Sequence, residues 1–97
     1  MWWRWVIVAD ASPTIRVTLK LFASLGRYLP AEARENQVVL EAAEDASPAA
    51  VLALVGLPHH LSHLALLNGD YLALADLERV SLTEGDVLAI WPPVAGG

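Results

Sequence analysis

Between Thr14 and Phe22 the chain alternates with period two: Ile15, Val17, Leu19 and Leu21 are apolar, and Arg16, Thr18 and Lys20 stand between them. Successive side chains of a strand point to opposite faces, so this run predicts a strand with one face buried and the other open. A strand of that kind is not stable alone and commits the chain to a sheet with an apolar layer over one side. Gln37–Ala42 alternates again, with Val38 and Leu40 opposite Val39 and Glu41. Two such runs joined by a loop predict an antiparallel pair. Within that loop, Ala23–Leu29 reads as a short helical turn closed by Pro30, and 31–36 is charged and turn-like.

The covering layer is legible further on. Ser47 is a good N-cap, Pro48 suits the first helical position, and Glu44 and Asp45 lie on the favourable side of the helix dipole. Val51, Leu52, Leu54 and Val55 form an apolar stripe at helical spacing, Gly56 is placed to end it, and Pro58 follows. A helix this short needs a sheet to lie against. Leu64–Leu67 reads as a buried strand ended by the turn residues Asn68-Gly69-Asp70, with Tyr71–Leu74 returning. Leu77–Leu82 is mixed, Thr83-Glu84-Gly85-Asp86 is a turn, and Val87–Trp91 is a final apolar strand. The fold class is α+β, a mixed sheet with one main helix packed on one face.

Ninety-seven residues fit one domain. The apolar fraction of 56% and mean hydropathy of +0.46 favour a compact, well-buried fold over disorder. There is no uncharged apolar run of the ~18 residues that a membrane span requires and no credible leader cleavage site, so no membrane is expected and the expected location is the cytoplasm. A net charge of −5 without a basic cluster leaves nucleic-acid binding no electrostatic footprint. Residues 1–14 form an N-terminal extension in which Trp2, Trp3 and Trp5 crowd the start, Trp5–Val8 has strand composition and Asp10–Pro13 is a turn cluster. It reads as an extra edge strand, a partner-binding patch, or sequence translated ahead of the true start.

Few side chains suggest chemistry. His59, His60 and His63 would place two imidazoles on one helical face, but Pro58 argues for a loop and no further ligand completes a set, so no metal is expected. Glu41, Glu44 and Asp45 read as a solvated strand end, and Glu84 and Asp86 as turn residues, with no base or nucleophile beside them. Lys20, the single lysine, reads as either a partner contact or strand solubilisation, with the latter favoured. The glycines show no phosphate-loop spacing. With no cysteine, the chain has no thiol nucleophile.

The ending remains. Ile90-Trp91-Pro92-Pro93-Val94-Ala95-Gly96-Gly97 takes an apolar strand into two prolines, which cannot donate ladder hydrogen bonds, and then into two residues without Cβ. Extended, 92–97 reaches roughly 20 Å. This is a carboxylate on a flexible arm, with a frayed terminus or a cloning remnant as the plain alternative.

Val17-Thr18-Leu19-Lys20-Leu21-Phe22-Ala23 resembles the opening strand of the ubiquitin-like sulfur carriers, and Leu66-Leu67-Asn68-Gly69 resembles their middle turn. Leu82-Thr83-Glu84-Gly85-Asp86-Val87 with the Trp91-Pro92-Pro93-Val94-Ala95-Gly96-Gly97 ending is most similar to the small subunit of molybdopterin synthase. The thiamin-pathway carriers share the Gly-Gly and generally lack the Pro-Pro. The resemblance implies a β-grasp domain over 15–91 and a tail over 92–97. It implies that an adenylating enzyme of the ubiquitin-activating type uses ATP on the Gly97 carboxylate, after which a sulfur donor makes a thiocarboxylate. It further implies that Pro92, Pro93, Val94, Ala95, Gly96 and Gly97 insert into a large catalytic subunit, with Phe22 and Trp91 as candidate interface residues. No bound cofactor is implied, and the chain itself is a non-catalytic carrier subunit. Trp91 stands where phenylalanine is more usual and reads as either an anchor of the partner interface or a cap on the core, and the tryptophan-rich start lies outside the family pattern. The alternatives are a carrier for thiamin, cysteine or tRNA thiolation, a ubiquitin-like protein modifier, and an interaction domain with an idle tail.

Overall fold

The computed structural model describes residues 13–93; the segments 1–12 and 94–97 lie outside the described residues, and with them the readings made of the tryptophan-rich start and of the last four tail positions. The first alternating run is strand β1 (Thr14–Leu21), and a 3-10 helix (Ala23–Tyr28) stands where the short helical turn was expected. Strand β2 (Gln37–Ala43) pairs antiparallel with β1 in a register that sets Val17 against Leu40 and Leu19 against Val38. Ile15, Val17, Leu19 and Leu21 are all buried, so the period-two pattern points its apolar side to the core as read.

Helix α1 (Pro48–Leu54) starts as its sequence predicts: Ser47 is extended and its Oγ accepts from the Ala50 amide at 3.1 Å. It stops at a Schellman arrangement, with the Gly56 amide donating to Ala53 O and the Leu57 amide to Leu52 O. Gly56 supplies the left-handed φ of 74° that this closure needs. Leu52 and Leu57, bracketing the cap, are both buried. Pro48, Ala49, Val51 and Leu52 are buried as well, and Val51 and Leu52 belong to the same apolar cluster as β1.

Beyond a 3-10 turn at His59–Leu61 come β3 (Leu64–Leu67) and β4 (Asp70–Leu72), an antiparallel pair joined by Asn68-Gly69. Both loop residues have positive φ, 53° and 87°, the pattern of a type I′ turn whose twist matches the strands. The return strand is shorter than the predicted Tyr71–Leu74 because Leu74–Asp76 turns into another 3-10 helix. No strand or helix covers 77–82, yet Leu77 and Leu82 are buried. That connection is pinned to the helix layer by hydrogen bonds from the Ala49 amide to Leu77 O and from the Leu82 amide to Ala46 O. Strand β5 (Val87–Trp91) closes the fold, parallel to β1 and antiparallel to β3. The five-stranded sheet has the order β2-β1-β5-β3-β4, so the last strand in sequence is the middle one in space.

Candidate functional site: the root of the C-terminal tail

Strand β5 delivers the chain to its tail, and ladders hold it on both sides. Leu19 lies against Leu88 and Leu21 against Ile90 on one flank; Ala65 lies against Ile90 and Leu64 against Trp91 on the other. Leu88 and Ile90 are fully buried. Two bonds extend the ladder to the strand's last residues: the Phe22 amide donates to Ile90 O at 3.1 Å, and the His63 amide to Trp91 O at 2.9 Å. Pro92 and Pro93 come next and bring no N–H, so the sheet releases the chain there.

The two predicted interface residues meet at this release point. The rings of Phe22 and Trp91 stack with centroids 4.3 Å apart and planes 6° from parallel. Both side chains are half-buried. Since Leu21 and Ile90 face the core, the parity of a strand puts Phe22 and Trp91 on the opposite, helix-free face. By the same parity Lys20, Ala89, Leu64 and Leu66 share that face, and register places Leu64 opposite Trp91 and Leu66 opposite Ala89. The result is an apolar patch around the root of the tail with one lysine in it.

Leu64 and Leu66 were missed from the sequence, where Leu64–Leu67 reads only as a buried strand. The signal was there: a strand with no polar residue at alternate positions has two apolar faces, and only one can meet the core. Lys20, favoured as a solubilising residue, shares a face with the aromatic pair. Behind Phe22, Ala23 adopts φ 53°, a conformation unfavourable for a residue with a Cβ, and so reverses the chain directly after the aromatic. Asn36 Nδ2 donates to Leu21 O at 3.1 Å and ties down the same corner.

The opposite end of β5 is polar. The Asp86 carboxylate accepts from Asn68 Nδ2 at 3.0 Å, from the Thr83 amide at 2.8 Å and from Thr83 Oγ1 at 3.2 Å. Asn68 Oδ1 in turn accepts from the Val87 amide at 2.8 Å. Desolvation pushes the Asp86 carboxyl up, but the donated hydrogen bonds together hold it below the usual aspartate value. The Glu84 carboxyl is also held low, first by the Arg16 amide it accepts at 2.8 Å and then by the Arg16 side chain at 3.2 Å, against a desolvation effect of opposite sign. These groups are fastened to the fold and present no poised acid or base.

Among the described residues, no cluster of three or more His, Cys, Asp or Glu side chains is placed to hold a metal, and no helix is long and apolar enough to cross a membrane. His59 and His60 fall in the 3-10 turn and His63 just after it, with His63 contributing its backbone amide to the ladder. Glu41, Glu44 and Asp45 are exposed at the end of β2 and in the turn after it, as read. Val94, Ala95, Gly96 and Gly97 lie outside the described residues.

A mixed five-stranded sheet with a single main helix on one face, its central strand running out into a Pro-Pro-Val-Ala-Gly-Gly ending, defines a ubiquitin-like β-grasp protein of the sulfur-carrier type. The chain belongs to the ThiS family, whose model matches residues 21–97. No curated protein matches it. Among solved structures it is similar to the HVO 2177 protein of Haloferax volcanii, at 25% identity and a TM-score of 0.70 over 94% of each chain. It is similar to SAMP1 from the same organism at 31% identity and a TM-score of 0.60, over 84% of this chain and 99% of that one. Its fold is also that of a chain in the complex of subunits 1 and 2 of the molybdopterin-converting factor from Helicobacter pylori, at 19% identity and a TM-score of 0.54, over 86% and 100% of the two chains.

Proposed function

We propose that the chain is the sulfur-carrier subunit of a molybdopterin-forming sulfurtransferase, with the Gly97 carboxylate as its working group. The observation that carries this reading is the release of the central strand at Pro92-Pro93 beside the Phe22–Trp91 stack. A rigid Pro-Pro root reduces the entropy lost when an arm enters a partner, and Gly96-Gly97 fits a channel too narrow for side chains. The half-buried aromatic pair, with Leu64 and Leu66, gives a partner an apolar surface at the base of that arm. The complex of subunits 1 and 2 of the molybdopterin-converting factor from Helicobacter pylori supports a large-subunit partner of this kind.

The chemistry follows from the poor electrophilicity of a carboxylate. An adenylating partner joins a Gly97 oxygen to the α-phosphorus of ATP and expels pyrophosphate. A sulfur nucleophile then attacks the acyl carbon, AMP leaves, and the terminus carries sulfur in place of one oxygen. In the large subunit that sulfur passes to a pterin precursor and the carboxylate is regenerated. The carrier binds no cofactor in this cycle, which runs in the cytoplasm.

The test is an intact mass after incubation with ATP, an activating enzyme and a sulfur source. The terminus is expected to gain the mass difference between one sulfur and one oxygen atom. An unchanged mass, where a control carrier is loaded, overturns the reading. A second reading is favoured by the 31% identity to SAMP1 of Haloferax volcanii, a small archaeal modifier protein. In it Gly97 is joined to lysine amines of target proteins. Adducts that survive thiol reductant and map to lysines would establish that role; thiocarboxylate without such adducts supports the carrier.

A further inference from the structure

The helix-free face of the sheet carries one group that the tail and its aromatic root do not account for: Lys20. Register sets it in a straight row across all five strands, Gln37–Lys20–Ala89–Leu66–Tyr71. The next row holds Phe22, Trp91 and Leu64, two residues and roughly 7 Å further along the strands. Tyr71 is 70% exposed, and Phe22, Leu64, Leu66 and Trp91 are half-buried. Lys20 is half-buried as well, one strand in from the outer strand β2. It is therefore a cation set into an apolar surface and not a charge on its rim.

The fold does not answer that charge. Among the described strand residues of this face the one carboxylate is Glu41, and register sets it opposite Arg16, four residues and roughly 13 Å along β1 from Lys20. Arg16 also takes the Glu84 carboxylate at 3.2 Å. Among the described residues Lys20 Nζ has neither a hydrogen bond nor an ion pair, in a chain of eleven acids and six bases. In the free protein, water satisfies the ammonium. A protein that covers the two apolar rows displaces that water, and an ammonium left without a counter-charge in an apolar contact is costly.

We propose that the partner seated on this face presents one carboxylate to Lys20 within an otherwise apolar contact surface. The inference rests on the carrier reading, in which that partner is the large subunit, and adds the chemistry of the surface it brings. Lys20 lies directly beside β5, so an ion pair there fixes how the face is turned about the strand that feeds the tail. A surface lacking the carboxylate is disfavoured, because it buries the ammonium unpaired. The apolar rows supply contact area, and Lys20 supplies orientation and choice of partner.

Because Lys20 is the single lysine, a carbodiimide reads the contact directly: it condenses a carboxylate with a touching amine into an amide, and the carboxylate oxygen leaves in the urea. Treating the complex of the full-length chain with the large subunit is expected to join Lys20 Nζ to an Asp or Glu of that subunit, located by peptide mass mapping. Lys20→Arg keeps the charge, so it should retain binding and lose the cross-link. Lys20→Met keeps the stem and removes the charge; in titration calorimetry it should bind roughly thirtyfold more weakly, since it leaves the carboxylate buried and unpaired. A lysine kept for solubility predicts the opposite sign, with methionine binding as well or better. Native far-ultraviolet dichroism in both variants excludes unfolding as the cause. Equal or tighter binding by Lys20→Met, or a complex that forms without an amide at Lys20, overturns the proposal and leaves the carrier reading standing. A parent chain that fails to bind the large subunit overturns both.

Discussion

Strand β5 begins and ends in opposite chemical environments. At its entry, Asp86, Asn68 and Thr83 knot three backbone segments together with short polar bonds, and Glu84 holds the first half of β1. At its exit, two half-buried aromatic rings stack. Directional hydrogen bonds fix a position, whereas an apolar stack leaves surface that a second protein can cover. The entry is therefore where the fold is specified, and under the proposed function the exit is where it is used. Substitutions at the exit should damage partnership more than stability, and those at the entry should do the reverse.

The largest expected effect lies beyond the exit. Deleting Gly96-Gly97 should abolish sulfur loading in the mass assay while leaving thermal unfolding unchanged, because the described core ends at β5. Loss of folding on that deletion would erase the distinction between the strand and its arm. Next comes Trp91→Ala. As a hot-spot aromatic it should weaken capture of the large subunit by about 2 kcal/mol or more, roughly thirtyfold, measured by titration calorimetry. Fully buried Leu88, three residues earlier on the same strand, offers the contrast: Leu88→Ala should cost ~2–5 kcal/mol of folding stability by denaturant titration. If Trp91→Ala unfolds the protein as readily as Leu88→Ala, the stack belongs to the core and the comparison fails.

The same division decides what could be read in advance. The strands, the helix and its caps were legible because their causes are local: period-two alternation in β1, a Ser-Pro start and a glycine stop in α1, an Asn-Gly reversal before β4. Phe22 and Trp91 could be named as a candidate surface only through resemblance. Their contact arises from the parallel β1–β5 pairing, which brings residues about seventy positions apart into register, and no local pattern encodes it. Leu77 and Leu82 escaped for a related reason. They are buried without regular structure, so no period marks them. The Asp86–Asn68 bond was hidden as well: each residue reads as an ordinary turn former, and only the fold puts them together.

At the entry, Asp86→Ala removes three accepted hydrogen bonds from a largely exposed site, and at ~0.5–1.5 kcal/mol for each the total loss is about 1–3 kcal/mol once partial replacement by water is allowed. For a domain of this size that is a fall in Tm of roughly 5–15 °C, followed by circular dichroism. Sulfur loading of the folded fraction should be unchanged. Asn68→Ala should fall in the same range, since it loses two side-chain bonds and leaves alanine at a φ of 53°. A loading defect in either variant at temperatures where it is folded would tie the entry to function and blur the two ends.

The smallest effect separates the entry's two carboxylates. Both are held below their ordinary values in the folded state, so each contributes stability that is present above the unfolded value and is lost as pH falls through the folded one. The protein should therefore lose stability on acidification below about pH 4.5, near the ordinary value of a glutamate, and hold it from there to neutrality. Asp86 is the better-bonded group, accepting from two residues at once, while Glu84 pairs with Arg16 in solvent, their side chains 55% and 70% exposed. Glu84→Gln keeps an oxygen that can accept from the Arg16 amide and gives up only a screened charge. It should leave Tm at neutral pH within error of the parent and remove a minor part of the acid sensitivity, whereas Asp86→Asn should remove most of it. Equal acid profiles for the two variants would mean that the Arg16 contact, and not the knot around Asp86, fixes the entry of β5.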